Sequence, residues 1–381
     1  MRFIGKFMSK ENINMKTIAQ EIKKRNSNIE FLRIIAMLMV VTLHMLNFGG
    51  LLEKSNTTTL KGFLIWFLES LCFVAVDCYV LIGSYFLSDS KFKIKRIIKL
   101  WVQTFFYSIL MYVFFAFIIR QELTDILINF IPVLLKNYWF VTCYIVLLIL
   151  APFLNKLIKT LSKEQYTMLL FIIIIIFSVW GTIIDPARTI NYGGGYSISW
   201  FVCLYIIAGY IKRFYKNEKN RKITYFIIYL LMSFVNVLAH WLINKYNIKT
   251  FEPNVLYRYF SITVLIAALN LFLFFLNINI KQNMINRCIY FFSSATFGVY
   301  LIHENPYFRI FLWDGFKRFI VNVGNKKLSI IIITTPILLF LSFTFIDKIR
   351  LCIFWLFSKM KIKMPARVKK LYDKLETELN E

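Results

Sequence analysis

Several apolar runs in this chain exceed the ~18 residues that a helix needs to cross a bilayer. Such runs leave few folds open. In hydrocarbon every backbone N–H and C=O must be satisfied inside the protein, and a continuous apolar helix does this within itself. The composition agrees: 59% of the 381 residues are hydrophobic and 40 are Phe. The pattern predicts an all-α, polytopic membrane helix bundle of about ten spans, at roughly 29–48, 63–87, 100–119, 133–154, 167–184, 198–211, 223–243, 259–278, 288–303 and 328–346. The short run at 198–211 and the stretch after 304 fit this pattern least well.

Charge sets the expected orientation. The net charge of +26 invites a nucleic-acid reading, but its placement points elsewhere. Well over half of the 46 Lys and Arg fall in alternate connections and in both terminal segments, as expected when those segments are cytoplasmic. The expected organisation is a basic cytoplasmic arm at 1–28, a membrane domain at 29–346 and a basic cytoplasmic tail at 347–381. The tail begins with the apolar stretch Leu351 to Phe357 and is expected on the anionic inner leaflet. The first 28 residues lack the short apolar core of a cleavable signal peptide. The six cysteines lie in or beside apolar spans and form no CxxC pair, so they read as packing residues.

Ionisable residues inside spans are costly and usually face a protein interior or a watery cavity. Arg33 and His44 share the first span, eleven positions apart. That is about three turns, so both face one side, roughly 16 Å apart along the axis. A histidine alone in a span is often a satisfied core residue. Arg33 on the same face favours a functional one, able to take a proton from a hydroxyl without a metal. Asp77 lies inside the second span, with Glu69 two turns earlier. Asp77 either orients His44 or pairs with Arg33. Arg96 and Lys99 share a helix face at the entrance of the third span. With Arg33 they form an anion site for phosphates, or else they are topological anchors, the commoner reading of such a run. His303 and Glu304 end the ninth span, at a depth similar to His44. His240, beside Trp241, reads as an interfacial anchor. No Gly-rich phosphate loop, paired-carboxylate motif or zinc-ligand spacing is present.

Between the spans, residues 304–327 have the spacing of an amphipathic interfacial helix. The Gly-rich loop 191–196, flanked by tyrosines, is placed to cover an outer opening. No internal repeat is evident, which weakens a transporter built on inverted repeats. A polysaccharide exporter or polymerase component would explain the spans and the basic loops, but explains the Arg33/His44 pair less well. A scaffold or sensor binding lipid headgroups at its basic face is a third reading.

Four stretches together resemble acyltransferase family 3, the integral membrane O-acyltransferases that decorate bacterial surface polysaccharides. They are Arg33 to His44, matching an Arg-x10-His pattern; Val74 to Leu87, followed by Arg96-Ile-Ile-Lys99; Asn137-Tyr-Trp139-Phe to Leu154; and Thr296 to His303. They occur in the family's order across most of the chain. The chain departs from the pattern in having Lys99 where the family often has a second Arg, which keeps the charge but loses one bidentate phosphate fork. Gly83-Ser84 also reverses a more usual order. The family often carries an appended extracellular hydrolase-like domain. This chain ends soon after the tenth span, so transfer is expected to be completed within the membrane unit.

The resemblance implies transfer of an acyl group, most often acetyl, from coenzyme A to a hydroxyl of a cell-surface or lipid-linked polysaccharide. It implies a multi-pass protein of the bacterial cytoplasmic membrane. Acetyl-coenzyme A enters as donor substrate, with no permanently bound cofactor and no metal. On this reading His44, Arg33 and Asp77 are catalytic, and Arg96 and Lys99 bind the coenzyme A phosphates. His303, Glu304 and Trp139 lie on the acceptor side. His44 acts either as general base or as transient carrier of the acyl group. The partners are the donor, a carbohydrate acceptor and the bilayer, not nucleic acid; a homo-oligomer is compatible with this reading.

Overall fold

The computed structural model describes residues 26–118, 129–133, 138–184, 193–250, 252–280, 283–321, 323–358 and 365–380. Most of the expected basic arm, Asn137, and Asn191 and Tyr192 of the Gly-rich loop lie outside the described residues. Among the described residues the chain is helical, with no strand. The helices are α1 (Ser27–Phe48), α2 (Leu60–Cys72), α3 (Ala75–Leu87), α4 (Ile94–Ala116), α5 (Trp139–Thr160), α6 (Lys163–Ile174), α7 (Ile198–Phe214), α8 (Lys222–Lys245), α9 (Ile262–Asn277), α10 (Asn283–Ser293), α11 (Thr296–His303), α12 (Pro306–Ile320), α13 (Asn325–Ser358) and α14 (Ala366–Asn380).

Among the described residues, seven helical segments are long and apolar enough to cross a membrane: α1, α2 with α3, α4, α5, α6 with its continuation to Ile183, α8, and α13. These coincide with seven of the ten expected spans. The other three expected spans behave differently. Residues 198–211 form α7, a largely buried 17-residue helix packed between α3 and α5. Residues 259–278 form the 16-residue α9. Residues 288–303 do not make one span, because the chain breaks at Ser294–Ala295 between α10 and α11.

The first span sits at the centre. Helix α1 packs against α2, α3, α9, α10, α11, α12 and α13. Asn26 caps its start, the side chain accepting from the Asn28 N–H at 3.1 Å. Around it, large apolar side chains such as Phe114, Phe153, Phe171, Ile227, Ile333 and Leu338 point outward. In water such a belt would be a liability; in lipid it is the expected exterior.

The expected boundary at 346/347 falls inside α13, which runs unbroken through it. There Asp347 is fully buried and Arg350 is 4% exposed, their charged groups 2.7 Å apart. Tyr107 donates to the same carboxylate at 2.8 Å. Buried charges need such pairing, and the pair extends the bundle past the expected domain end. The Leu351–Phe357 stretch is therefore the continuation of a span helix. Helix α14 docks on the start of α4: Glu376 accepts from the Ile94 N–H (2.8 Å), the Tyr372 hydroxyl from the Lys95 N–H (3.0 Å), and Asn380 from the Phe92 N–H (2.7 Å). These N–H groups have no intrahelical partner, so the tail supplies the cap. His240, read as an interfacial anchor, is 5% exposed and stacks on Trp66 with ring centroids 3.9 Å apart.

Candidate active site

A cavity of about 820 Å³ runs through the bundle beside α1. Its lining begins with Ser90, Arg96 and Lys99, passes Arg33, Tyr79 and Tyr144, and reaches His44, Glu304 and Arg309. Trp139 lies on the same wall. The volume falls within the range of ligand pockets.

The Arg96 end is fixed by its neighbours. Arg96 Nη1 donates to Ser90 Oγ at 2.9 Å and to the Lys91 carbonyl at 3.1 Å. Asn155 of α5 donates to the Leu87 carbonyl at 3.1 Å, tying the end of α3 beside this loop. Lys99, three residues along the same face, is exposed. Arg33 pairs with Glu30 at 3.3 Å, and Tyr144 lines the cavity with Arg33 and Arg96. The Gly83-Ser84 order has a local cause. A Cβ at Gly83 would meet the Tyr144 hydroxyl at 2.3 Å, so only glycine admits that ring against α3.

The His44 end is built by a turn between two helices. Helix α11 ends at His303. Asn305 then caps α12, accepting from the Tyr307 and Phe308 N–H groups at 3.2 and 3.3 Å, with Pro306 in the first turn. The Asn305 amide donates to Tyr138 at 3.0 Å, and Tyr138 to the Leu301 carbonyl at 3.1 Å. This fixed turn aims Glu304 at α1. Glu304 Oε2 lies 3.2 Å from His44 Nδ1, close but not aligned as a hydrogen bond. Its other oxygen accepts from Arg309 Nη1 at 2.8 Å. The Arg309 guanidinium in turn lies over Phe48, 4.8 Å from the ring centroid. His303 is fully buried behind His44, with ring centroids 5.0 Å apart. Its Nδ1 lies 2.6 Å from the Val299 carbonyl, which only accepts, so Nδ1 carries the proton.

The structure thus brings His44, Arg33, Arg96, Lys99, Glu304 and Trp139 to one cavity, with His303 against its wall. Asp77 does not join them. It is fully buried and accepts from Trp200 Nε1 of α7 at 3.0 Å; neither Arg33 nor His44 is its partner. The reason is helical phase. Val76 and Tyr79 of α3 line the cavity, and Asp77 points ~100° away from Val76, towards α7. Arg309 is a site residue that the sequence pattern did not single out; its signal is the Asn305-Pro306 cap, which turns a span end into a helix start and places Arg309 five residues after Glu304. Glu69, Tyr196 and Tyr259 also line the cavity.

A multi-pass helix bundle with a cation-to-histidine cavity is the class of protein defined by this fold and site. Within that class the chain belongs to acyltransferase family 3: the family's "Acyltransferase domain" model matches residues 26–347. No curated protein and no solved structure matches the chain. The protein is a membrane acyltransferase.

Proposed function

We propose that the protein moves an acetyl group from coenzyme A to a hydroxyl of a cell-surface or lipid-linked polysaccharide, in the bacterial cytoplasmic membrane. The observation that carries this reading is the single cavity joining Arg33, Arg96 and Lys99 to His44. Three cations at one end suit the coenzyme A phosphates. The ~16 Å between Arg33 and His44 along α1 is a distance for the pantetheine arm to cover. Both termini and the Arg96 end face the cytoplasm, where the donor is made.

At the other end the Glu304 carboxylate, held by Arg309 and 3.2 Å from His44 Nδ1, favours by its charge the tautomer with the proton on Nδ1, which leaves Nε2 basic. Nε2 takes the proton of the acceptor hydroxyl as its oxygen bonds to the thioester carbonyl carbon. The C–S bond breaks, and the proton passes to the leaving sulfur to give the coenzyme A thiol. In the covalent variant Nε2 attacks the carbonyl first, the C–S bond breaks to release the coenzyme A thiolate, and the acceptor oxygen then displaces Nε2, its proton passing to the thiolate. Rapid denaturation at neutral pH with labelled acetyl-coenzyme A and no acceptor separates the two, since only the second leaves label on the protein. His303 sets the far side of the His44 ring, and Asp77 holds α3 to α7.

The test has two readouts. Reconstituted protein should release thiol from acetyl-coenzyme A in the presence of acceptor glycan. Mass spectrometry of surface glycans should lose an acetyl mass when the protein is removed. No thiol release together with unchanged glycan masses would overturn the assignment.

A further inference from the structure

One wall of the cavity carries a carboxylate with no role so far. Glu69 of α2 is 6% exposed, lines the cavity, and its Oε2 has no hydrogen-bond partner among the described residues. Among the described residues each of the other buried carboxylates has a partner for at least one oxygen, although Asp77 Oδ2 and Glu304 Oε2 are themselves unpartnered. Glu30 has Arg33, Glu304 has Arg309, Asp77 has Trp200 and Asp347 has Arg350. A carboxylate buried without a donor costs free energy, and inside a membrane it marks a functional position.

Around Glu69 the fold gathers aromatic rings from three separate segments. Trp139 starts α5, Tyr196 follows the Gly-rich loop, and Tyr259 precedes α9. Trp139 and Tyr196 have centroids 4.4 Å apart, Tyr196 and Tyr259 4.9 Å, and Trp139 and Tyr259 6.2 Å. The loop is shaped for this. Gly193, Gly194 and Gly195 all take positive φ, which side-chain-bearing residues avoid. The Tyr259 N–H donates to the Gly194 carbonyl at 3.1 Å, joining the two segments. Ser178 donates to the Phe260 carbonyl at 2.7 Å, anchoring them to the helix that continues α6. Tyr259 is buried and Tyr196 is half exposed, so the rings step from the mouth inward. Glu69, Trp139, Tyr196 and Tyr259 line the same cavity as His44 and Glu304.

We propose that Glu69, Trp139, Tyr196 and Tyr259 form the subsite that grips the acceptor sugar ring and presents one hydroxyl to His44. A pyranose offers an apolar C–H face and a rim of hydroxyls. Aromatic rings take the face, and a carboxyl group hydrogen-bonds to two adjacent hydroxyls. Glu69 then selects an acceptor whose neighbouring hydroxyls are free, and so decides which position is acylated. The subsite rests on the reading given under Proposed function.

The test uses full-length protein in membranes and three variants: Glu69→Ala, the isosteric Glu69→Gln, and Tyr196→Ala at the half-exposed mouth, where folding is least at risk. Surface glycans of cells producing each are analysed for acyl mass, and acetyl-coenzyme A binding is measured on the purified proteins. Glu69→Ala should lower glycan acylation about tenfold, the loss of its hydrogen bonds to the acceptor, with donor affinity unchanged. Tyr196→Ala should lower it about two- to tenfold, and Glu69→Gln should fall between Glu69→Ala and wild type. If wild type binds the donor and acylates glycan while Glu69→Ala and Tyr196→Ala match it, the subsite is wrong and acyl transfer stands. Loss of donor affinity in parallel with acylation would also overturn the subsite. If wild type neither binds acetyl-coenzyme A nor adds acyl mass, the parent reading fails and takes the subsite with it.

Discussion

At the scale of single residues, His44 and Asp77 separate most clearly. Both are ionisable groups inside spans, and the same argument from membrane cost singles out both. Their surroundings differ. His44 faces the cavity beside a carboxylate held by arginine, whereas Asp77 is spent on an indole N–H. His44→Ala should therefore lower transfer by about 100-fold or more, the scale of general acid–base catalysis, at normal protein levels. Transfer at the wild-type rate in that variant would remove His44 from the chemistry. Asp77→Asn keeps an oxygen for Trp200 and should retain most activity. Asp77→Ala leaves the buried N–H unpaired and should cost about 1–3 kcal/mol of stability, read as a lowered thermal midpoint in detergent. An inactive Asp77→Asn protein with an unchanged midpoint would restore a catalytic Asp77.

At the scale of helices, α4 brings its charges to the cavity by being anchored at its start. Its first N–H groups, those of Ile94 and Lys95, are taken by Glu376 and Tyr372 of α14 rather than by a side chain of its own. Arg96 and Lys99 then share one helical face at the cavity's edge. The double variant Arg96→Ala/Lys99→Ala should weaken acetyl-coenzyme A binding about tenfold or more, for loss of charge-assisted phosphate contacts of about 1.5–3 kcal/mol. Acceptor dependence should be spared, and Lys99→Arg should bind the donor at least as well as wild type because it adds a bidentate fork. Unchanged donor dependence in the double variant would return both residues to topological anchoring. The spans themselves were legible because an apolar window is a local property. The breaks at Phe73–Val74 and Ser294–Ala295 were not, since both halves of a broken span are equally apolar. Glu304 was legible as a span end; its bond to Arg309 was not, because it crosses the Asn305-Pro306 turn. Trp139, Tyr196 and Tyr259 meet only through tertiary folding.

At the scale of the whole molecule, the cavity serves a membrane reaction only if its two ends belong to opposite faces of the bilayer. The distribution of Lys and Arg predicts which face is which, and the helix order supplies the geometry. The loop before α4 lies at the Arg96 end, and the last turn of α7 sits beside the end of α3 through Lys212 over Tyr85, whereas α12 carries Arg309 at the His44 end. Thiol labelling of intact cells tests this directly. The exposed native thiols Cys288 and Cys352 are first replaced by Ser to clear the background. Single cysteines are then introduced by Lys93→Cys, Lys216→Cys and Arg318→Cys, all at exposed positions. A membrane-impermeant maleimide should label the cysteine at 318 in intact cells. It should reach those at 93 and 216 only after the membrane is permeabilised. This pattern would put the coenzyme A phosphates on the cytoplasmic side and the acceptor outside, so that acyl transfer carries the group across the bilayer without carrying coenzyme A. Labelling of 93 in intact cells, with 318 protected, would invert the protein and place the acceptor in the cytoplasm. Labelling of all three would mean that the Arg96 end and the His44 end open to one side, and a transmembrane transfer route would be excluded.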